Sequence, residues 1–133
     1  MELVLVFLAW ISAETGLAMP PPPGIQFVNQ AQMLRLAGGR TDVGGLYDPE
    51  AVTVYLRDDW DAANLRNRAT LLHELVHHVQ DFNKVPARCR AERELLAYKL
   101  ALDWLRQQGA PDPYAVLDVD EFTILIRSMC ADE

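Results

Sequence analysis

Residues 67–82 read NRATLLHELVHHVQDF, and their apolar side chains recur at the spacing of a helix. One face of that helix carries four apolar residues, Leu72, Leu75, Val76 and Val79. This is the pattern of an amphipathic helix packed against a core, and Pro86 ends the helical region. The segment therefore predicts one long helix around which the rest of the fold is arranged.

The same helix contains the motif His73-Glu74-Leu75-Val76-His77. Histidines four residues apart lie about 40° apart around a helix, so both imidazoles can bind one zinc ion. The glutamate between them can reach a water molecule at that ion and act as a general base. The motif favours a Zn²⁺ site with His73 and His77 as ligands and Glu74 as a catalytic residue. A solvated histidine pair on an ordinary amphipathic helix is the structural alternative.

A catalytic zinc site usually has three protein ligands, and no further histidine follows His78. The third ligand should therefore be a carboxylate from the next helix, where Glu92 and Glu94 are the candidates. The inward stripe predicted for that helix consists of Ala91, Leu95, Tyr98, Leu102 and Leu105. Glu94 lies at the margin of this stripe, and an inward carboxylate is costly unless it is paired or bound to metal. We therefore expect Glu94 to be the ligand, with Glu92 as ligand or an ion pair between Glu94 and Arg68 as the alternatives.

Short strands are predicted before the motif helix and further helices after it. Residues 25–28 alternate as a strand, Asn29 can cap a helix over 30–37, and a β-hairpin over 46–56 turns at Asp48-Pro49. A helix is expected over 91–108, and a last one begins at Asp118 and directs inward Phe122, Leu125, Ile126 and Met129. This order predicts an α+β fold in a single domain over residues 1–133.

The N-terminal residues Leu3 to Ile11 form a run of nine apolar residues. About 20 residues are needed to cross a bilayer, so the run predicts no stable membrane span. A buried first helix that ends near Gly16 is the main interpretation. The alternative is a secretory signal peptide cleaved near Gly16-Leu17-Ala18, although no basic residue occurs before Arg35.

Composition excludes several classes of protein. The chain has 12 Lys and Arg against 19 Asp and Glu, a net charge of −7, and half of its residues are hydrophobic. An acidic chain without a basic cluster is a poor partner for nucleic acid, and the apolar content excludes a disordered chain. The two cysteines lack C-x-x-C spacing, so they form either one disulfide or two buried thiols.

The motif with a glutamate on the following helix resembles the gluzincin branch of the zincin metallopeptidases. More closely, the chain resembles a small bacterial zincin-like domain family along most of its length. The resemblance rests on Leu8-Ala9-Trp10, Thr15-Gly16-Leu17, Gly45-Leu46-Tyr47-Asp48-Pro49, the segment from His73 to Gln80, and Ala97-Tyr98. It implies a minimal zincin-like domain, in which a small sheet with a hairpin packs on the motif helix and further helices surround it. It also implies that Leu3–Ile11 belongs to the fold and that cysteines occur at Cys89 and Cys130.

Position 98 is a tyrosine, although the resemblance to larger gluzincins would place an acidic residue there. Larger gluzincins have an acidic residue four positions after the ligand glutamate, which orients a metal-bound histidine. We expect Tyr98 either to supply that contact or to donate a hydrogen bond in the transition state. An ordinary core aromatic is the alternative.

These features together predict zinc-dependent hydrolysis of peptide bonds in a peptide or protein substrate, with Glu74 as general base. Zincins hold substrate along a sheet edge, and Val52–Leu56 is the expected edge. Secondary candidates for stabilising an oxyanion are Tyr47, Tyr55 and His78. The alternative function is a non-catalytic zinc-binding or protein-interaction module on the same scaffold.

Cys89 precedes the helix that carries Glu94, and Cys130 falls at the end of the last helix. We hypothesise that the two residues can form a disulfide. Such a bond persists only in an oxidising compartment, so a bridge would favour export and free thiols would favour the cytoplasm. The sequence alone leaves the localisation open.

Overall fold

The computed structural model describes residues 1–131. Its helices and strands are, in order, α1 Glu2–Thr15, β1 Gly24–Val28, α2 Gln30–Leu36, β2 Gly45–Asp48, β3 Thr53–Arg57, α3 Leu65–Phe82, a 3₁₀ turn Arg90–Arg93, α4 Glu94–Gln107, α5 Pro113–Leu117 and α6 Glu121–Arg127. The described chain is therefore a small α+β domain with a three-stranded sheet and six α-helices, in agreement with the predicted fold class.

The sheet has the strand order β1-β3-β2. β1 runs parallel to β3, with Ile25 opposite Val54, and β2 runs antiparallel to β3, with Tyr47 opposite the same residue. The predicted hairpin is confirmed, but the prediction that Val52–Leu56 is an edge strand is wrong. β3 is the central strand, because it pairs with β1 along one edge and with β2 along the other. β2 is the edge strand that contacts α3.

Helix α3 is the central element of the fold, since the sheet, α1 and α4 all pack against it. Its predicted apolar face is confirmed, because Leu72, Leu75, Val76 and Val79 are fully buried. Each buried side chain of this size stabilises the fold by roughly 1.5–3 kcal/mol. The face packs in one core cluster with buried residues of other elements, Phe7, Leu8, Ile11, Val54, Leu56 and Leu105.

The N-terminal apolar run forms helix α1, as the main interpretation predicted. Phe7, Leu8 and Ile11 are buried, and the helix ends at Gly16, whose φ of 74° is left-handed. Glycine adopts this conformation without the strain that a side chain would add. None of the helices within residues 1–131 has both the length and the apolar content needed to cross a membrane.

The C-terminal helices differ from the prediction. Asp118 does not begin the last helix, because it adopts a left-handed conformation and ends α5. Asp120 caps α6 instead, through a hydrogen bond from the amide of Thr123. The predicted inward set is also wrong, since Ile124 packs on α4 and the opposite face is exposed: Phe122 at 71%, Leu125 at 56%, Ile126 at 52% and Met129 at 59%.

Helix α4 begins at Glu94 after a 3₁₀ turn, three residues later than predicted. Tyr98, Leu102 and Leu105 are buried as expected, but Leu95 is 47% exposed and Ala91 is only partly buried. The small residues Ala97 and Ala101 are also buried, so the inward face is rotated away from Leu95. Glu94 therefore lies closer to the centre of the inward face than the sequence pattern indicated.

Cys89 and Cys130 are joined by a disulfide, with their Cα atoms 5.8 Å apart. The hypothesis that the pair can bridge is confirmed. The bond links the residue before the 3₁₀ turn to the segment after α6, across 41 positions of sequence. It therefore ties the start of the Glu94 helix region to the C-terminal part of the fold.

Reducing this disulfide should lower the free energy of unfolding by about 4 kcal/mol, because the unfolded chain regains the entropy of a long closed loop. Urea unfolding with and without reductant measures the change. The double variant Cys89→Ser/Cys130→Ser should match the reduced wild type and should not respond to reductant. Equal stability of the oxidised and reduced wild type would contradict the prediction.

Candidate metal centre

His73, His77 and Glu94 converge between α3 and α4. The possible ligand atoms of the three residues all lie within 4.8 Å of one another, and each residue is partly buried. Nε2 of His73 lies 3.2 Å from Oε1 of Glu94, and Nε2 of His77 contacts the same oxygen. The structure therefore brings together all three side chains that were predicted to bind metal.

The donor set suits a catalytic zinc ion. Two imidazoles and one carboxylate are a common protein ligand set of such sites, where the fourth position is open to water or substrate. Within residues 1–131 no fourth Cys, His, Asp or Glu joins the group, and both cysteines are in the disulfide. A closed structural zinc site would need such a fourth ligand.

Charge complementarity holds Glu94 in its ionised form. Burial by itself would raise the pKa of Glu94, but hydrogen bonds from His73 and His77 and the charges of both rings outweigh it and lower the pKa well below its usual range. The carboxylate is also the first residue of α4, where the helix dipole favours a negative charge. Glu94 is thus available as an anionic ligand.

Gln80 fixes the orientation of His77. Gln80 is only 2% exposed, and its Nε2 donates to the carbonyl of Arg93 at 3.1 Å. The amide oxygen must therefore accept from Nδ1 of His77, also at 3.1 Å. With a proton held on Nδ1, Nε2 is the atom of His77 that faces Glu94, and it could bind a metal ion once it has lost its own proton.

Replacing Gln80 by methionine should weaken zinc affinity about 10- to 100-fold, because His77 loses the hydrogen bond that sets its tautomer. Competition with a zinc chelator measures the affinity. Gln108→Met makes the same chemical change at an exposed position and should leave the affinity unchanged. An unaltered affinity in a folded Gln80→Met protein would assign Gln80 a purely structural role.

Glu74 lies on the same cleft as the three converging residues but is not one of them. Edge strand β2 approaches it closely at Gly45. A Cβ atom at Gly45 would lie 2.9 Å from Cγ2 of Thr70 and 3.3 Å from Cγ of Glu74. The absence of a side chain at Gly45 therefore lets the edge strand pass directly beside the predicted general base.

Tyr98 packs edge-on against His73, with ring centroids 4.5 Å apart, and it also lines the cleft. Its hydroxyl accepts a hydrogen bond of 2.7 Å from Nη1 of Arg127. Burial raises the pKa of Tyr98 more than the guanidinium lowers it. The phenol therefore stays protonated at neutral pH, and its own proton can be donated toward the cleft.

Tyr47 and His78, two of the secondary oxyanion candidates, bind each other. Nε2 of His78 lies 2.8 Å from the carbonyl of Pro21, which can only accept, so Nε2 carries the proton. Nδ1 then accepts from the hydroxyl of Tyr47 at 2.9 Å, and burial raises the pKa of Tyr47 to about 12. These hydrogen bonds attach the run of four prolines at 20–23, which connects α1 to β1, to α3 and β2. The third candidate, Tyr55, is not among the described residues that line the cleft.

The two alternatives for the third ligand do not occur in the structure. Arg68 stacks over the ring of Trp104, 5.4 Å from its centroid, and forms no ion pair with Glu94 in the described chain. Glu92 accepts a hydrogen bond from the backbone amide of Arg88. Glu92 therefore does not join the converging residues, and Glu94 does.

A cleft of about 790 Å³ runs along these residues. Its lining residues come from several elements, which include β2, α3, the 3₁₀ turn, α4 and α6. The cleft also contains all five residues that the sequence predicted for the site, which are His73, Glu74, His77, Glu94 and Tyr98.

The family model described as "Domain of unknown function (DUF6647)" matches residues 1–133. The chain belongs to the DUF6647 family. Neither the curated proteins nor the solved structures gave a match to it.

Sequence reasoning missed Arg127 and the orienting role of Gln80. In the sequence Gln80 was only the last residue of the segment that carries the family resemblance, although its position three residues after His77 places the two on neighbouring turns. Arg127 has no comparable local signal, because its contact with Tyr98 joins positions 29 residues apart. Only the packing of α6 on α4 brings them together.

Proposed function

We propose that this DUF6647 domain is a zinc-dependent peptidase with a minimal zincin-like site. The observation that carries the proposal is the convergence of His73, His77 and Glu94 beside Glu74, which faces the same open cleft. The resemblance of the sequence to gluzincins points to the same chemistry. The order of elements along the chain supports the proposal as well. Edge strand β2 is followed by α3, which carries the motif, and then by α4, which carries Glu94.

His73, His77 and Glu94 would hold the zinc ion, and Gln80 would keep His77 in the correct tautomer. When bound, zinc supplies Lewis acidity, which lowers the pKa of a water molecule and polarises a carbonyl group. These residues fit the ion because they provide three ligands of the right kind and leave one position open.

Glu74 acts as the general base in the proposed reaction. It accepts a proton from the attacking water as the new carbon–oxygen bond forms, and it returns the proton to the amine as the carbon–nitrogen bond breaks. Tyr98 donates its phenolic proton in a hydrogen bond to the carbonyl oxygen as negative charge develops there. Strand β2 has a free edge beside the cleft, where an extended peptide can form backbone hydrogen bonds.

Metal analysis combined with a peptide-library digest tests the proposal. Purified protein should contain about one zinc ion per chain, digest a subset of peptides, lose that activity with chelator and regain it when zinc is restored. A protein that binds zinc tightly but leaves every peptide intact would support the non-catalytic zinc module. If the protein binds no zinc, both the peptidase and the non-catalytic zinc module are excluded.

A further inference from the structure

The charge of the cleft has the opposite sign to that of the rest of the molecule. Six arginines and four acidic residues line it. The other described residues include six basic and thirteen acidic side chains. Two of the four acidic residues in the cleft, Glu74 and Glu94, belong to the proposed zinc site itself. The cleft thus concentrates positive charge in an acidic domain, and a bound zinc ion would add to it.

Four of the six arginines form no ion pair with any carboxylate of residues 1–131. Arg93 is anchored by Asp81 and by the carbonyl of Val85, and Arg57 pairs with Asp59. In the part of the chain that the structure describes, no carboxylate lies within 4.0 Å of the guanidinium groups of the others, which are Arg40, Arg66, Arg90 and Arg127. All four are exposed, so they can contact a ligand without first breaking an ion pair.

These four arginines come from four separate parts of the fold. Arg40 follows α2, Arg66 lies in the first turn of α3, Arg90 begins the 3₁₀ turn and Arg127 ends α6. Arg127 is also connected to the metal centre, because it donates to the hydroxyl of Tyr98, whose ring packs on His73. The four arginines therefore line one cleft although they lie far apart in the sequence.

We propose that the cleft selects peptides that carry carboxylates, either as acidic side chains or as a free C-terminal carboxylate. The proposal rests on the peptidase function and specifies its substrate class. Guanidinium groups bind carboxylates through paired, charge-assisted hydrogen bonds, and a cleft lined by low-dielectric walls focuses their field on the ligand. Because the outer surface is acidic, an acidic peptide is attracted only where the arginines lie.

A peptide fits this distribution of charge better than a nucleic acid. A long polyanion would have to lie across the acidic surface around the cleft, and that surface would repel it. A short acidic peptide confines its charge to the cleft. The free edge of β2 also offers backbone hydrogen bonds that suit an extended peptide.

Binding can be measured without cleavage in the zinc-loaded Glu74→Gln variant. The probes are a fluorescent Asp- and Glu-containing peptide and its Asn and Gln counterpart, each with a free and with an amidated C-terminus. Fluorescence anisotropy should show about tenfold tighter binding of the carboxylate-bearing forms, with a preference that falls as salt is added. The four probes separate side-chain carboxylates from the terminal one.

The added substitutions Arg66→Gln and Arg90→Gln should together remove most of this tenfold preference. Arg35→Gln with Arg88→Gln makes the same change of charge at exposed positions outside the cleft and should alter affinity less than about twofold. Zinc content and thermal unfolding should be the same in both double variants. An unchanged preference in the cleft variant, or equal affinity for all four probes, would overturn the proposal.

Two further results separate this inference from the peptidase function. Cleavage by the wild type without any preference for carboxylates would contradict the inference and leave the peptidase function standing. An arginine-dependent preference in a protein that cleaves nothing would support the ligand class and contradict the peptidase function. Displacement of the acidic peptide by a short oligonucleotide at lower concentration than by unlabelled acidic peptide would overturn the inference in favour of nucleic acid.

Discussion

Glu74→Gln should retain its zinc and lose peptide hydrolysis by about 10²- to 10⁴-fold, the range typical of removing a general base. Glutamine preserves the shape of the side chain beside Gly45 but cannot accept a proton. Glu74 is not one of the three converging residues, so the metal ligands remain intact. Zinc content by elemental analysis and kcat/KM on a peptide cleaved by the wild type measure the two effects.

Glu50→Gln is the matched control, because Glu50 is exposed in the hairpin turn and does not line the cleft. It should leave both zinc content and rate unchanged. Loss of zinc in Glu74→Gln would show that Glu74 is a ligand rather than a base. Full activity with bound zinc would remove Glu74 from the mechanism.

The parts of the fold that follow from local patterns were predictable from the sequence. The face of α3 is defined by apolar residues that recur over about two turns, from Leu72 to Val79, so His73 and His77 could be placed beside each other before any tertiary contact was known. Glycine after α1 and the Asn29 cap of α2 are equally local signals, and both occur in the structure. Glu94 followed from the cost of burying an unpaired carboxylate.

Features that depend on contacts between distant segments were not predictable in this way. The position of β3 in the centre of the sheet depends on its parallel pairing with β1, about 29 residues earlier in the chain. The apolar residues on the exposed face of α6 recur with the same helical spacing as those of a buried face. The spacing alone therefore predicted that this face is buried. The arginines of the cleft are scattered from Arg40 to Arg127, and only the fold collects them.

The chain offers a direct comparison for the third ligand, because two glutamates lie two residues apart with different surroundings. Glu94→Ala should weaken zinc binding by more than the roughly 10- to 100-fold that follows from losing a residue that only orients a ligand. Glu92→Ala should change affinity little, since Glu92 contacts the amide of Arg88 and not the histidines. Chelator competition on both variants measures the difference.

Folding must be checked in the same experiment, because Glu94 contacts both His73 and His77 and so links α4 to α3. Glu94→Gln serves this purpose, since it preserves the shape of the side chain and an acceptor oxygen for the two rings but supplies no anionic ligand. Thermal unfolding of Glu94→Gln in chelator should show a folded domain, and its zinc affinity should fall as in Glu94→Ala. If Glu92→Ala is the variant that loses zinc, or if both Glu94 variants fold and keep wild-type affinity, the third ligand is not Glu94. A site with only His73 and His77 would then lack the carboxylate on which the gluzincin comparison depends.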